Sequence, residues 1–198
     1  MNLAFFASHS GSNLQAVLDA CHDGRLRAHP CVVISNNSQA KALQRANRAG
    51  VPFYHLSTKT HPEPEALDEA ILQTLQHHQA DLIILAGYLR KLGAKTLTQY
   101  KGRIINIHPA LLPKYGGQGM YGLRVHEAVL AAGETETGVT IHLVDEEYDH
   151  GKIIAQCRVP VRDQDTAETL AERVLAYEHE FLVTTLNQIV AREIVLPT

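Results

Sequence analysis

The sequence predicts an α/β fold: a Rossmann-like, mostly parallel twisted sheet of about seven strands with helices on both faces. Three observations carry this. Apolar runs alternate with helix-period segments through the first half of the chain, the pattern of consecutive βαβ units. The runs are nearly unbroken, as in Asp81-Leu82-Ile83-Ile84-Leu85-Ala86, which suits strands covered on both faces. Two further strand candidates follow late in the chain, joined by an acidic tip.

The first strand is Leu3–Ala7, and the helix after it shows Leu14, Val17, Leu18 and Cys21 at helical spacing, with Ser12 or Asn13 available as its cap. Cys31–Ser35 and Val51–Tyr54 are the next strands, each followed by a helix, and Leu82–Ala86 and Arg103–Ile105 come after them. A loop from Pro109 to Leu123 carries two prolines and four glycines, a length that usually serves function. A short helix from Arg124 to Ala132 precedes the strands Gly138–Val144 and Lys152–Val159, read as a hairpin tipped by residues 145–151. The last helix opens on an Asp165/Glu168 capping pattern and sets Leu170, Val174, Tyr177, Phe181, Leu182 and Leu186 on one side.

A chain of 198 residues supports one sizeable core, so residues 1–198 read as one domain. A formal charge of −3 with scattered lysines and arginines gives no electrostatic reason to expect nucleic acid. Cys21, Cys31 and Cys157 share no C-x-x-C spacing and read as buried free thiols of a reducing compartment. Met1–Ala7 is too short for a signal h-region and no apolar run reaches membrane-spanning length, so the expected location is cytoplasmic. His126, His142, His150 and His179 lack metal-ligand spacing, and no metal site is expected. The absence of G-x-S-x-G counts against a serine hydrolase.

Four stretches carry candidate chemistry. Ser8-His9-Ser10-Gly11-Ser12-Asn13 joins a strand to a helix N-terminus, where free N–H groups and the helix dipole favour an anion, though small polar residues also make ordinary turns. Ala86-Gly87-Tyr88-Leu89-Arg90 lies at the carboxyl end of the fourth strand, the ligand edge of such sheets; Arg90 and Lys91 read equally as solvated charges at a helix start. Asn106 and His108 stand two residues apart at a strand end and project to the same side, an amide to donate to a carbonyl oxygen and an imidazole to handle a proton. Asp149, at the hairpin tip, reads as either a turn residue or a partner of His108, and Glu178 puts a carboxylate on the margin of the last helix's apolar stripe.

Together, Gly11-Ser12-Asn13-Leu14-Gln15, Leu85-Ala86-Gly87-Tyr88-Leu89-Arg90, Asn106-Ile107-His108-Pro109-Ala110-Leu111-Leu112-Pro113-Lys114 and Asp145-Glu146-Glu147-Tyr148-Asp149-His150-Gly151 resemble the folate-dependent formyltransferases. Within them the match is to the phosphoribosylglycinamide formyltransferases. The resemblance runs from Met1 to the last helix. It implies formyl transfer from 10-formyltetrahydrofolate, as co-substrate, to the amine of glycinamide ribonucleotide in purine biosynthesis, by a monomer or weak homodimer. Gly11, Ser12 and Asn13 would hold the phosphate and Glu178 the ribose. Leu89, Arg90, Lys91 and Leu92, with Val144, Asp145 and Tyr148, would face the folate. Asn106, a protonated His108 and Asp149 would form the catalytic trio, and Leu112–Pro113 would be cis. The chain departs from the pattern at His9, where many members have glycine, near Pro62-Glu63-Pro64, where a folate-directed arginine is missing, and in the glycine-rich loop 115–122. Two other readings stay open: a formyltetrahydrofolate hydrolase using the same trio on water, and a catalytically silent folate- or nucleotide-binding module.

Overall fold

In the computed structural model, which describes residues 1–197, seven strands form one sheet: β1 (Asn2–Phe6), β2 (His29–Ser35), β3 (Phe53–His55), β4 (Leu82–Leu85), β5 (Ile104–His108), β6 (Glu136–Leu143) and β7 (Ile153–Pro160). Their order is β3-β2-β1-β4-β5-β6-β7, parallel from β3 through β5 and antiparallel at the β5–β6 and β6–β7 pairs. The order reverses beside β1, between β2 and β4, which makes the carboxyl ends of β1 and β4 a topological switch point, where open α/β sheets take ligands.

Alternation along each strand fills two cores. Leu3, Phe5, Val33, Leu82, Ile84 and Ile105 pack with α1 (Ser12–His22), α2 (Lys41–Arg48), α5 (Leu123–Ala131) and α6 (Ala167–Val190). Ala4, Phe6, Val32, Ile34, Ile83 and Leu85 pack on the other face with α3 (Pro64–His77) and the chain around α4 (Ala94–Gln99). Burial on both faces explains why these strands read as continuous apolar runs. Full burial of a side chain such as Phe5 or Phe6 is worth roughly 2–3 kcal/mol.

Four local expectations change. The helix near Arg90 and Lys91 begins only at Ala94, because the buried Asp68 carboxylate of α3 accepts the N–H groups of Lys95 and Thr96 at 2.8 and 3.1 Å and so fixes its first turn. The cap of α6 is Thr166 with Thr169, not Asp165 with Glu168. Asp165 instead takes both guanidinium nitrogens of Arg173 at 2.6 Å, a bidentate pair that holds its carboxyl far below the usual range. Tyr177 leaves the apolar side of α6 and is 42% exposed. Of the three cysteines only Cys31 is buried, Cys21 and Cys157 being half-buried, and all are free. No helix among the described residues is long and apolar enough to cross a membrane.

Candidate active site

The carboxyl ends of β1, β4 and β5 open into a cavity of about 1250 Å³. Every residue singled out by the sequence lines it: Gly11, Ser12, Asn13, Leu89, Arg90, Lys91, Leu92, Asn106, His108, Val144, Asp145, Tyr148, Asp149 and Glu178.

At one end, Gly11 occupies the N-cap position of α1 in left-handed geometry (φ 65°), and no side chain caps the helix. Neither Ser12 nor Asn13 serves as the expected cap; both lie inside the first turn. Gly11 is required twice over, by its φ and because a Cβ there would lie 2.7 Å from the Ala42 Cβ. Gly11→Ala is expected to cost about 1–2 kcal/mol, the penalty of a left-handed L-residue; urea unfolding measures it, and an unchanged midpoint would contradict the assignment. Asn13 turns inward, donating through Nδ2 to Glu178 Oε2 at 2.6 Å, while its own Oδ1 is buried without a partner among the described residues. Burial pushes the Glu178 carboxyl up to about 7, only partly offset by the Asn13 hydrogen bond. The pair therefore presents an orphan acceptor and a carboxyl near its midpoint at neutral pH.

The centre is built by the β5–β6 pairing. Asn106 lies opposite His142, and His108 opposite Thr140. Thr140 Oγ1 accepts from the Leu112 N–H at 3.1 Å and donates to the Ala110 carbonyl at 2.6 Å, anchoring the chain as it leaves the sheet ahead of the cis Leu112–Pro113 bond. Asp149, at φ 57°, reaches back from the β6–β7 connection. Its carboxylate accepts from Asn106 Nδ2 at 3.2 Å and from the Gly117 N–H at 3.0 Å, and lies 3.5 Å from His108 Nδ1 and 3.4 Å from His142 Nε2. A Cβ at Gly116 would sit 2.4 Å from Leu112 Cδ2 and 3.2 Å from Asp149 Cβ, so the glycine-rich loop closes directly over this cluster.

Burial pushes the Asp149 carboxyl up, but His142, His108 and the Gly117 N–H outweigh it and hold the group below its ordinary value. Burial pushes His108 below the ordinary histidine value, against the opposing pull of Asp149 and of the Tyr115 carbonyl, which lies 2.8 Å from Nε2. Burial thus weighs toward the neutral ring in the resting site, against the two acceptors that face its nitrogens. His126, buried behind it, is pushed down to about 4 by burial and then by His108.

His142 is the residue that sequence reasoning missed. Its Nδ1 lies 2.8 Å from the Leu143 carbonyl and donates there, and its Nε2 lies 3.1 Å from Asn106 Nδ2 and 3.4 Å from the Asp149 carboxylate. This contact and Asp149 together set the orientation of the Asn106 amide, because the flipped amide would turn its oxygen onto the carboxylate. The only signal in the sequence was an antiparallel register that spacing does not reveal.

At the far end, Ser8 Oγ accepts the Leu89 N–H at 2.9 Å and donates to Asn36 Oδ1 at 2.6 Å, tying the β1 and β4 loops together. Lys91 spans the two walls, with Nζ on the Glu146 carbonyl at 2.8 Å and 4.8 Å above the Tyr148 ring. Leu92 is buried, whereas Leu89 is exposed. No group of three or more His, Cys, Asp or Glu among the described residues could hold a metal ion.

A family model described as formyl transferase matches residues 1–186. The chain belongs to the formyl transferase family. It is 41% identical over 194 residues to a chloroplastic phosphoribosylglycinamide formyltransferase of Vigna unguiculata, covering 98% of this chain and 62% of the relative, so it spans about three-fifths of that protein's length. Against phosphoribosylglycinamide formyltransferase of Bacillus subtilis (strain 168) it is 35% identical, covering 94% of this chain and 93% of the relative. The crystal structure of glycinamide ribonucleotide transformylase 1 from Symbiobacterium toebii superposes with a TM-score of 0.91 at 38% identity, covering all of this chain and 91% of that one. A formyltetrahydrofolate deformylase from Pseudomonas syringae pv. tomato shares the fold, with a TM-score of 0.87, at 26% identity; this chain covers 63% of it. Within the formyl transferase family the chain is thus more similar to the ribonucleotide transformylases named here than to this deformylase.

Proposed function

We propose that this protein transfers the formyl group of 10-formyltetrahydrofolate to the amine of glycinamide ribonucleotide, a step of purine biosynthesis. One observation carries the reading: a single cavity joins an uncapped helix N-terminus suited to phosphate with the Asn106–His108–Asp149 cluster suited to carbonyl chemistry. A hydrolase acting on the folate alone has no use for the first of these. Residues 1–198 then act as one formyltransferase domain, its N-terminal part taking the nucleotide phosphate and its C-terminal part the folate and the chemistry. All the groups come from one chain, so a monomer or weak homodimer suffices, and the free thiols fit a cytoplasmic setting.

In this reading Gly11, Ser12 and Asn13 bind the phosphate and Glu178 the ribose hydroxyls. Leu89 to Leu92 and Val144, Asp145 and Tyr148 flank the folate. The substrate amine attacks the formyl carbon, a C–N bond forms, and the carbonyl electron pair moves to oxygen. Asn106 donates to that oxygen, as does the His108 ring, whose neutral resting form takes the amine proton as negative charge develops beside it. The proton passes to the folate nitrogen as its bond to the formyl carbon breaks and the carbonyl re-forms. Asp149 holds His108 and Asn106 in place. Because the Tyr115 carbonyl can only accept a hydrogen bond from Nε2 in the resting site, the loop after Pro113 must shift and the ring proton pass to Nδ1, which faces Asp149, before Nε2 can take the amine proton.

The test is to mix protein, 10-formyltetrahydrofolate and glycinamide ribonucleotide and follow folate absorbance. The expected result is product only when nucleotide is present. Equal product without nucleotide would replace transfer by hydrolysis, and no product under either condition would leave a silent binding module.

A further inference from the structure

Behind the β1–α1 loop lies a second, polar cavity of about 440 Å³, which shares Ser12 with the main one and is lined also by Gln15, Arg45 and His179. Arg45 of α2 reaches the loop from this side. Its Nε donates to the Ser10 carbonyl at 2.8 Å and its Nη1 to Gln15 Oε1 at 2.9 Å. One turn earlier on the same helix, the Ala42 N–H donates to the His9 carbonyl at 3.2 Å. Helix α2 thus holds two successive loop carbonyls.

A trans peptide is planar, with its C=O and N–H on opposite sides. Holding the His9 and Ser10 carbonyls toward α2 therefore turns the N–H groups of Ser10 and Gly11 away from it. Both residues line the main cavity, and neither N–H has a hydrogen-bond partner among the described residues. Asp19 and Glu180 line the same cavity, but no carboxylate among the described residues comes within ion-pair distance of Arg45. Its charge is felt nearby, since burial and then Arg45 push His179 below the ordinary histidine value.

We propose that Arg45 is a positioning residue for the nucleotide's phosphate. Without touching the ligand, it aims the Ser10 and Gly11 N–H groups at the anion and places a guanidinium behind them. This rests on the reading of residues 9–13 as the phosphate loop, and the test separates the two.

Arg45→Gln is expected to raise the nucleotide KM about tenfold while kcat and the folate KM stay within about twofold, the scale of one charge-assisted contact. Arg45→Lys, which keeps the charge but not the planar fork, is expected to raise it only about threefold. Calorimetric titration with ribose 5-phosphate, and with ribose as control, isolates the phosphate. Weaker ribose 5-phosphate binding by Arg45→Gln with an unchanged response to ribose supports the proposal. Wild-type affinity for ribose 5-phosphate in that variant, or an equal rise in both substrates' KM, overturns it. Failure of the wild-type protein to bind ribose 5-phosphate removes the phosphate loop itself, and the proposal with it. Should Arg45→Gln not fold, Arg45→Lys decides: an unchanged ribose 5-phosphate affinity and nucleotide KM there refute the positioning role.

Discussion

Asp149→Asn lowers kcat by about 10²–10³-fold, the scale of a lost preorganised electrostatic contact, while both substrates still bind. Four groups converge on this carboxylate: His108, His142, Asn106 and the Gly117 N–H, all within 3.5 Å. An asparagine fits the same space and tolerates the left-handed backbone at φ 57°, so the fold survives. What disappears is the charge and one acceptor. The side-chain NH2 must then face either a histidine nitrogen or the Asn106 amide, and one donor of the cluster loses its partner.

The pH dependence of the same variant is the sharper measurement. His108 already titrates below the ordinary histidine value because it is buried, and Asp149 is the largest influence opposing that. Removing the charge lowers the His108 value further. If the neutral ring takes the amine proton, the acid limb of kcat/KM moves to lower pH in Asp149→Asn. A limb that stays in place, or a kcat within tenfold of wild type, would sink the assigned role.

The second large effect concerns Glu178, and it is one of stability. The folded-state carboxyl titrates at about 7 against an ordinary 4.5, so the group favours the folded protein when protonated. Full stability is therefore present below the unfolded value and is lost as pH rises through the folded one. At pH 8 the buried carboxylate costs about 3 kcal/mol relative to a neutral group. Glu178→Gln, uncharged at every pH, is expected to melt roughly 5–10 °C above wild type at pH 8 and at nearly the same temperature at pH 4. Thermal scans at the two pH values decide it, and a difference independent of pH would refute the burial argument. If Glu178 holds the ribose hydroxyls as proposed, the same substitution is expected to raise the nucleotide KM, because those hydroxyls lose a carboxylate acceptor. A site residue that stabilises the protein when removed is the usual mark of stability given up for binding.

The parallel half of the sheet was legible because its physics is local. Leu82–Leu85 is buried on both faces and reads as an unbroken run, and Leu14, Val17 and Leu18 repeat at the helical period. Helix α4 left no such trace: it is six residues long, and only Thr96 is buried. The two ends that were read wrongly share a cause. At α1 and at α6 several adjacent residues can cap, and the choice is made by distant partners, Glu178 for Asn13 and Arg173 for Asp165.

The site divides in the same way. Asn106 and His108 were visible as a pair because two strand residues on one face lie close whatever the fold does around them. His142 was not, since its place opposite Asn106 is set by an antiparallel register 36 residues away. The effect of burial on His108 was also hidden, because the carboxylate beside it suggests a cation and only the packed structure shows how deeply the ring lies.

The Asn13–Glu178 hydrogen bond joins residues 165 positions apart. Contacts of such separation carry a larger loop-closure cost than local ones. An N-terminal fragment ending before α6 contains the whole glycine loop yet only half of the proposed nucleotide pocket. If the proposed site is right, affinity for the nucleotide reports the completed fold, and a saturating nucleotide will favour the intact protein over forms that cannot bind it by about 3 kcal/mol at a hundred times its dissociation constant.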